Sequence, residues 1–326
     1  MAVMGIECSA HTLGIGVVDA GKVLSNRKSM FPIGNKGLIP ARVSDFHAKN
    51  VRSTVRAALK AAGLKMSDIE AVGYTKGPGL GPCLRIGQVA ALAISESYGV
   101  PIYPVNHGVA HIEVAKHMGK MRDPLALYVS GGNSQILALD AKSFPHYHIY
   151  GETFDIGVGN MLDSFAREAK LNPSWGSTVA KVATGGRYFT MPYTVKGMDF
   201  TFSGLLTNAV RSLKGHKLAD VAYSLQETAF SMLCEATERA LLLTGKREIV
   251  LCGGVAQSAR LQEMVKIVAG DHKALFYVAP NEFNSDNGAM IALVAEKMMD
   301  AQMTSKPSDC TIDQKYRIDG VGISWK

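Results

Sequence analysis

One pattern occurs twice in the chain, and it limits the fold more than any other feature. Residues 2–7 are an apolar run ending at Glu7. A turn of small and polar residues follows, Glu7-Cys8-Ser9-Ala10-His11-Thr12, and then the strand-like segments LGIGVVD and KVL. Residues 125–139 repeat this order as LALYV, the turn Ser130-Gly131-Gly132-Asn133, and SQILAL. Apolar runs bounded by small turn residues read as hairpins. Two such openings predict an internal duplication. One α/β lobe is expected over residues 1–123, joined by residues 297–326, and a second over residues 124–296. Gly131 and Gly132 permit positive φ and close backbone approach, so the second turn is suited to phosphate. The first turn reads by itself as an ordinary hairpin turn rather than an anion site.

The intervening segments fit alternating helices and strands. A Gly/Pro loop is expected at residues 34–41, then a helix at 42–62 that carries His47 and stops at Gly63. Strands are predicted at residues 69–75, 101–105, 147–153, 248–252 and 275–279. KGPGLGPC (residues 76–83) precedes a small-residue helix reaching about residue 98. A loop in that position can bind phosphate, yet no GK[ST] follows, so it is not a P-loop. The longest helix is expected at residues 219–243, with Leu225, Ala229, Met232, Leu233, Ala236 and Ala240 as its buried stripe. Two stretches leave a fold role and a ligand role both open. Asp163 lies on a helix opened by DIGVGN, and Gly253-Gly254 stands between a strand and a helix.

Composition adds bounds. The 326 residues are 47% hydrophobic and 19% charged, which suits a globular chain and no disordered tail. The net charge of +7 fits a nucleic-acid or nucleotide partner, and fits many ordinary enzymes as well. Cys8, Cys83, Cys234, Cys252 and Cys310 are an odd, widely spaced set without a CxxC pair, as expected in a reducing compartment. No basic leader precedes the first strand, and no apolar run reaches the ~18 residues of a membrane span. These features predict a cytoplasmic protein.

The chemistry concentrates in VNHGVAHIE, residues 105–113. On a helix, His107 and His111 share one face with Cβ atoms roughly 5–6 Å apart. Imidazole nitrogens suit zinc, iron, nickel or copper better than magnesium or calcium. Two unrelated histidines give the same local pattern. Asp286, just before the final helix, reads either as an N-cap or as a carboxylate completing a metal site.

Several stretches coincide with one family. GIECSAHTLGIGVVD, KGPGLGPCLRIG, NHGVAHIE, LYVSGGNSQ, GETFDIGVGNMLDSFARE, VKGMDFTFSGLLT, SLQETAF, CGGVA and SDNGAMIA occur in the order found in the universal tRNA threonylcarbamoyladenosine synthase family. The chain resembles this family over nearly its whole length. His11 in the first turn and Tyr128 before the second point to the archaeal and eukaryotic branch, whose members are the catalytic subunits of KEOPS complexes.

The resemblance implies an actin/Hsp70/sugar-kinase-like (ASKHA) duplicated fold with a nucleotide cleft between lobes. It implies one divalent first-row metal, iron or zinc, held by His107, His111, Tyr128 and Asp286. An adenine nucleotide or threonylcarbamoyl-AMP would lie along Tyr128, Val129, Ser130, Gly131, Gly132 and Asn133. Asp163 and Gly176 would be near ribose, and Gly253, Gly254 and Ser258 near adenine. Two positions depart from the family pattern: Ala180 replaces a ribose-binding glutamate, and Ser258 replaces a common asparagine. The implied reaction moves threonylcarbamoyl from threonylcarbamoyl-AMP to N6 of adenosine 37 in tRNAs reading A-starting codons. His47, Glu7 and His11 are the candidates for orienting the acceptor or relaying a proton. Implied partners are the tRNA anticodon loop and three KEOPS subunits: a small dimerising subunit, an atypical small kinase and its regulator. No membrane or DNA partner is expected.

Three rival functions fit parts of the pattern. Metalloproteases of the HExxH type need a glutamate after the first histidine, and Gly108 stands there. An actin-like ATPase or small-molecule kinase shares the fold, and fold alone does not set function; the histidine pair separates them. A non-catalytic dimerisation paralogue would have no need of the histidine–tyrosine–aspartate set.

Overall fold

The computed structural model describes residues 1–32, 38–141, 144–303 and 305–325, so the expected Gly/Pro loop lies outside the described residues over 34–37. In chain order the elements are β1 (Ala2–Glu7), β2 (Thr12–Asp19), β3 (Lys22–Met30), α1 (Pro40–Ala62), β4 (Ile69–Gly77), α2 (Gly81–Tyr98), β5 (Ile102–Asn106) and α3 (His107–Met118). Next come β6 (Leu125–Val129), β7 (Ser134–Asp140), β8 (His146–Glu152), α4 (Val158–Glu168), α5 (Gly176–Ala183), β9 (Val195–Lys196), β10 (Asp199–Phe200), α6 (Ser203–Ser212) and α7 (Leu218–Thr244). The chain closes with β11 (Glu248–Cys252), α8 (Ala259–Asp271), β12 (Leu275–Val278), α9 (Asn281–Asn284) and α10 (Gly288–Asp300). The β9–β10 pair was not foreseen, because two-residue strands carry no readable alternation.

The chain divides into two compact units: Met1–Met118 with Asp140–Tyr147 and Ser285–Lys326, and Gly119–Leu139 with His148–Asn284. The return to the first unit therefore falls at Ser285, where the sequence suggested residue 297. The cause is the packing of α10. A Cβ on Gly16 would lie 2.2 Å from the Ala289 nitrogen, and one on Gly288 would lie 2.1 Å from the Gly16 nitrogen. Gly5 is as tight, 2.1 Å from the Ala292 nitrogen. Glycine on both sides lets helix backbone rest on sheet backbone, so α10 belongs to this sheet from its first residue.

The sheet of the first unit has the order β3-β2-β1-β4-β5. β1 is antiparallel to β2 and parallel to β4, and β4 is parallel to β5. Its core includes Met4, Ile6, Leu13, Ile15, Val17, Val72 and Tyr74. α1 ends at Gly63 (φ +71°), whose N–H bonds the Leu59 and Lys60 carbonyls, as its C-cap role predicts. The segment after α10 is held by backbone groups. The Tyr74 hydroxyl donates to Thr311 O at 2.9 Å, and Asn106 Nδ2 donates to Tyr316 O at 2.9 Å.

The second unit repeats the topology in the order β8-β7-β6-β11-β12. β6 is antiparallel to β7 and parallel to β11, and β11 is parallel to β12. Its core gathers Leu127, Phe165 and Phe230 with the predicted α7 stripe, every member of which is buried. All five cysteines are free and buried. Among the described residues no helix is long and apolar enough to cross a membrane.

Candidate metal centre

Two places in the first unit, α3 and the approach to α10, bring His107, His111 and Asp286 together. β5 runs directly into α3, and Asn106 Oδ1 accepts from the Val109 N–H at 3.1 Å, capping the helix. His107 and His111 then sit one turn apart, ring centroids 4.7 Å from each other in an edge-on arrangement. Asp286 arrives on the approach to α10. It is not the cap of that helix: Asn287 fills that role, its side chain accepting from the Met290 N–H at 3.0 Å. Asp286 Oδ1 lies 3.6 Å from His107 Nε2 and 3.4 Å from His111 Nε2.

These ligand atoms lie within 4.8 Å of one another. Donors each about 2.1 Å from a tetrahedral ion are about 3.4 Å apart, close to both nitrogen–oxygen separations. Two imidazoles and a carboxylate are an N/O donor set suited to a first-row ion. On geometry and chemistry the residues fit the expected metal.

Behind His107 stands Glu7, fully buried at the end of β1. Its Oε2 lies 3.0 Å from His107 Nδ1 and accepts from the Thr75 hydroxyl at 2.6 Å, while Oε1 accepts from the Ser9 N–H at 2.7 Å. The carboxylate fixes the ring's tautomer and leaves Nε2 for a ligand, as partners of metal-bound histidines do. The first turn thus binds a carboxylate of its own. Burial alone would lower the His107 pKa, but Glu7 and then Asp286 outweigh it and raise it to about 9. Burial dominates at His111 and lowers its pKa. Burial would raise the Asp286 pKa, yet the hydrogen bond with His111 and the charges of the two rings hold it well below the carboxylate range.

His47 projects from the buried face of α1, its Nε2 2.8 Å from Ala10 O. A carbonyl only accepts, so Nε2 carries the proton. The ring fastens the turn that holds Glu7, and burial lowers its pKa. His11 is half-buried in that same turn. The loop before α2 departs from the phosphate expectation. Its Leu80 N–H goes to Ser9 O at 2.7 Å and its Gly81 N–H to Gln314 Oε1 at 3.2 Å. The C-terminal segment takes the place of an anion there. Thr75, Asn106 and Gln314 were missed; only Asn106, an Asn directly before a helix, carried a local signal.

The expected nucleotide contacts lie in the second unit, and several come together there. Asn133 N–H donates to Ser130 Oγ at 3.0 Å, closing the turn, and Asn160 N–H donates to Gly131 O at 3.0 Å. Gly253 has φ +94°, and a Cβ there would meet Val129 O at 2.3 Å and Tyr128 Cδ2 at 3.2 Å. So Gly253 lies against Tyr128 and Val129 at the end of β6. Asp163 Oδ1 accepts from the Gly176 N–H at 2.7 Å. Added Cβ atoms on Gly132 and Gly254 would meet nothing within 4 Å. Ser258 caps α8, and Ala180 is half-buried on α5.

A sequence profile for tRNA N6-adenosine threonylcarbamoyltransferase matches residues 20–293. A protein of that name from Thermococcus gammatolerans is 46% identical over 328 residues, with all of both chains covered. The Methanopyrus kandleri protein of the same name is 44% identical and covers 96% of its own length. A "Probable bifunctional tRNA threonylcarbamoyladenosine biosynthesis protein" from Methanothermobacter thermautotrophicus is 43% identical, with the match covering 61% of it. Among solved structures, HypF from T. kodakarensis aligns with TM-score 0.64 at 15% identity, over 95% of this chain and 49% of that one. The chain thus spans about half the length of that HypF chain. Component A of the Acidaminococcus fermentans (R)-2-hydroxyglutaryl-CoA dehydratase gives 0.55 at 13% identity. At such identities the likeness speaks to fold alone, and that fold is the duplicated actin-like α/β architecture.

Proposed function

Since the chain belongs to the tRNA N6-adenosine threonylcarbamoyltransferase family, and so is a transferase acting on tRNA, we propose that its His107–His111–Asp286 centre serves a metal-dependent acyl transfer. The convergence of these three side chains, with Glu7 ordering His107, is the observation that carries this reading. The donor is threonylcarbamoyl-AMP and the acceptor is N6 of adenosine 37 in tRNAs reading A-starting codons. A new C–N bond forms at the carbamoyl carbon, the anhydride C–O bond breaks, N6 loses a proton and AMP leaves. Iron or zinc, when bound, supplies Lewis-acid stabilisation of developing negative charge.

The chain's own groups bind and orient. The turn Ser130–Gly131–Gly132–Asn133, with the open faces of Gly132 and Gly254, receives the nucleotide, and Asp163 with Gly176 receives the ribose. Glu7 holds the Nδ1 proton of His107. His47 orders the first turn through Ala10 O and positions rather than reacts, while His11 stands half-buried in that turn. Partners are KEOPS-type subunits. The relative named as bifunctional, in which a match to this chain covers 61% of the length, supports a second activity working beside this one.

The test is transfer of radiolabelled threonine, activated as its carbamoyl-adenylate, to unmodified tRNA with the partner subunits present. Asp286→Asn and His111→Ala should each lose at least 100-fold in transfer while keeping cooperative thermal unfolding. Full transfer by either folded variant would refute the assignment.

A further inference from the structure

The second unit carries a cationic and aromatic surface that the metal centre does not use. Arg211 in the last turn of α6, and Lys214, His216 and Lys217 between α6 and α7, are all exposed. The strap after α5 comes to the same place. His216 stacks flat on Phe189, with ring centroids 4.0 Å apart and planes 8° from parallel. The Arg187 N–H donates to Asp220 Oδ1 at 2.8 Å, and the Phe189 N–H donates to Ser224 Oγ at 2.9 Å, so the strap is pinned to the first turns of α7. Tyr188, between them, is 54% exposed. Among the described residues Arg187, Arg211, Lys214 and Lys217 make no ion pair, and Asp220, already engaged by the strap, is the one acid in this turn.

We propose that this surface docks the sugar-phosphate backbone and an unpaired base of an RNA, with Arg211, Lys214 and Lys217 on phosphates and Tyr188 as the stacking ring. The proposal rests on the tRNA-transferase reading above. Unpaired nucleic acid is held by this combination, cations along the backbone and an exposed ring under a base. Another cationic face, Lys49, Arg52 and Arg56 on α1, has no exposed aromatic residue on that helix. It offers charge without a stacking platform, so the strap surface fits a single-stranded loop better. The Phe189–His216 stack keeps the platform rigid, which limits the ordering cost of binding.

The experiment measures fluorescence-anisotropy binding of an unmodified tRNA transcript to the full chain across a salt series. Arg211→Gln/Lys214→Gln/Lys217→Gln should lower the log Kd versus log salt slope by about 2–3, close to one per lost phosphate contact. Tyr188→Ala should weaken binding roughly 5-fold or more with an unchanged salt slope. Lys214→Arg/Lys217→Arg should keep the wild-type slope, and unchanged melting temperatures check folding. Unaltered affinity and slope in the glutamine variant would overturn the proposal. So would wild-type tRNA affinity together with a defect seen only when partner subunits are added, which would make this a protein interface. If the wild-type chain with its partners neither bound tRNA nor transferred to it, the tRNA-transferase reading itself would fall.

Discussion

At His107 burial and charge pull in opposite directions, and the balance gives a testable linkage. The folded metal-free ring titrates at about 9, above the ~6.5 of an unfolded histidine. Its contribution to stability is therefore full below about pH 6.5 and is lost as pH rises through about 9. A metal needs the Nε2 lone pair, so uptake at neutral pH should expel about one proton per chain, from His107, because His111 is already neutral. Titration calorimetry in buffers of different ionisation enthalpy counts that proton. Glu7→Gln should cut the release and weaken the metal roughly 10–100-fold; equal release in both proteins would contradict the role given to Glu7. The histidine pair was legible because four-residue spacing is a local signal. Glu7 read as an acid in a turn and, by resemblance, as a candidate for orienting the acceptor or relaying a proton; its place behind His107 was not legible, since that partner lies 100 residues away and no local pattern records such a meeting. Asp286 was visible as an acid before a helix, and that the cap is its neighbour Asn287 turned on a shift of one residue.

Among the elements, α10 decides where Asp286 stands. Gly16→Ala would place a methyl 2.2 Å from a backbone nitrogen of α10, which has no flexible end to move aside. The expected cost is about 1–3 kcal/mol, read by urea unfolding, with a weakened metal affinity as Asp286 is displaced. Gly132→Ala, where added carbon meets nothing within 4 Å, is the matched control and should leave stability unchanged. A Gly16→Ala protein as stable and as metal-competent as wild type would show that the close packing does not set the site. The long helices were legible in sequence: α1 and α7 end at Gly63 and Gly245, and their buried stripes have helical period. The segment after α10 was not. It is held by Thr311 and Tyr316 carbonyls and by Gln314 on the α2 N-terminus, and main-chain bonds of that kind leave no periodic trace.

For the whole molecule, the repeated strand–turn–strand opening foretold the duplicated topology, and both sheets have the same order of strands. The exact return of the chain to the first unit escaped, because glycine-to-backbone packing looks in sequence like any other small-residue run. The +7 charge predicts that tRNA affinity falls steeply with salt; anisotropy titrations from low to moderate salt that gave a flat response would count against direct contact. The proposed metal centre requires that His107, His111 and Asp286 hold one metal ion on which transfer depends. It is tested most directly by elemental analysis of chain purified without chelator, paired with the transfer assay on the same sample. The expected result is close to one iron or zinc per wild-type chain, and for folded His111→Ala neither metal nor transfer. Metal-free wild-type protein that transfers at full rate, or His111→Ala that does so, would contradict it.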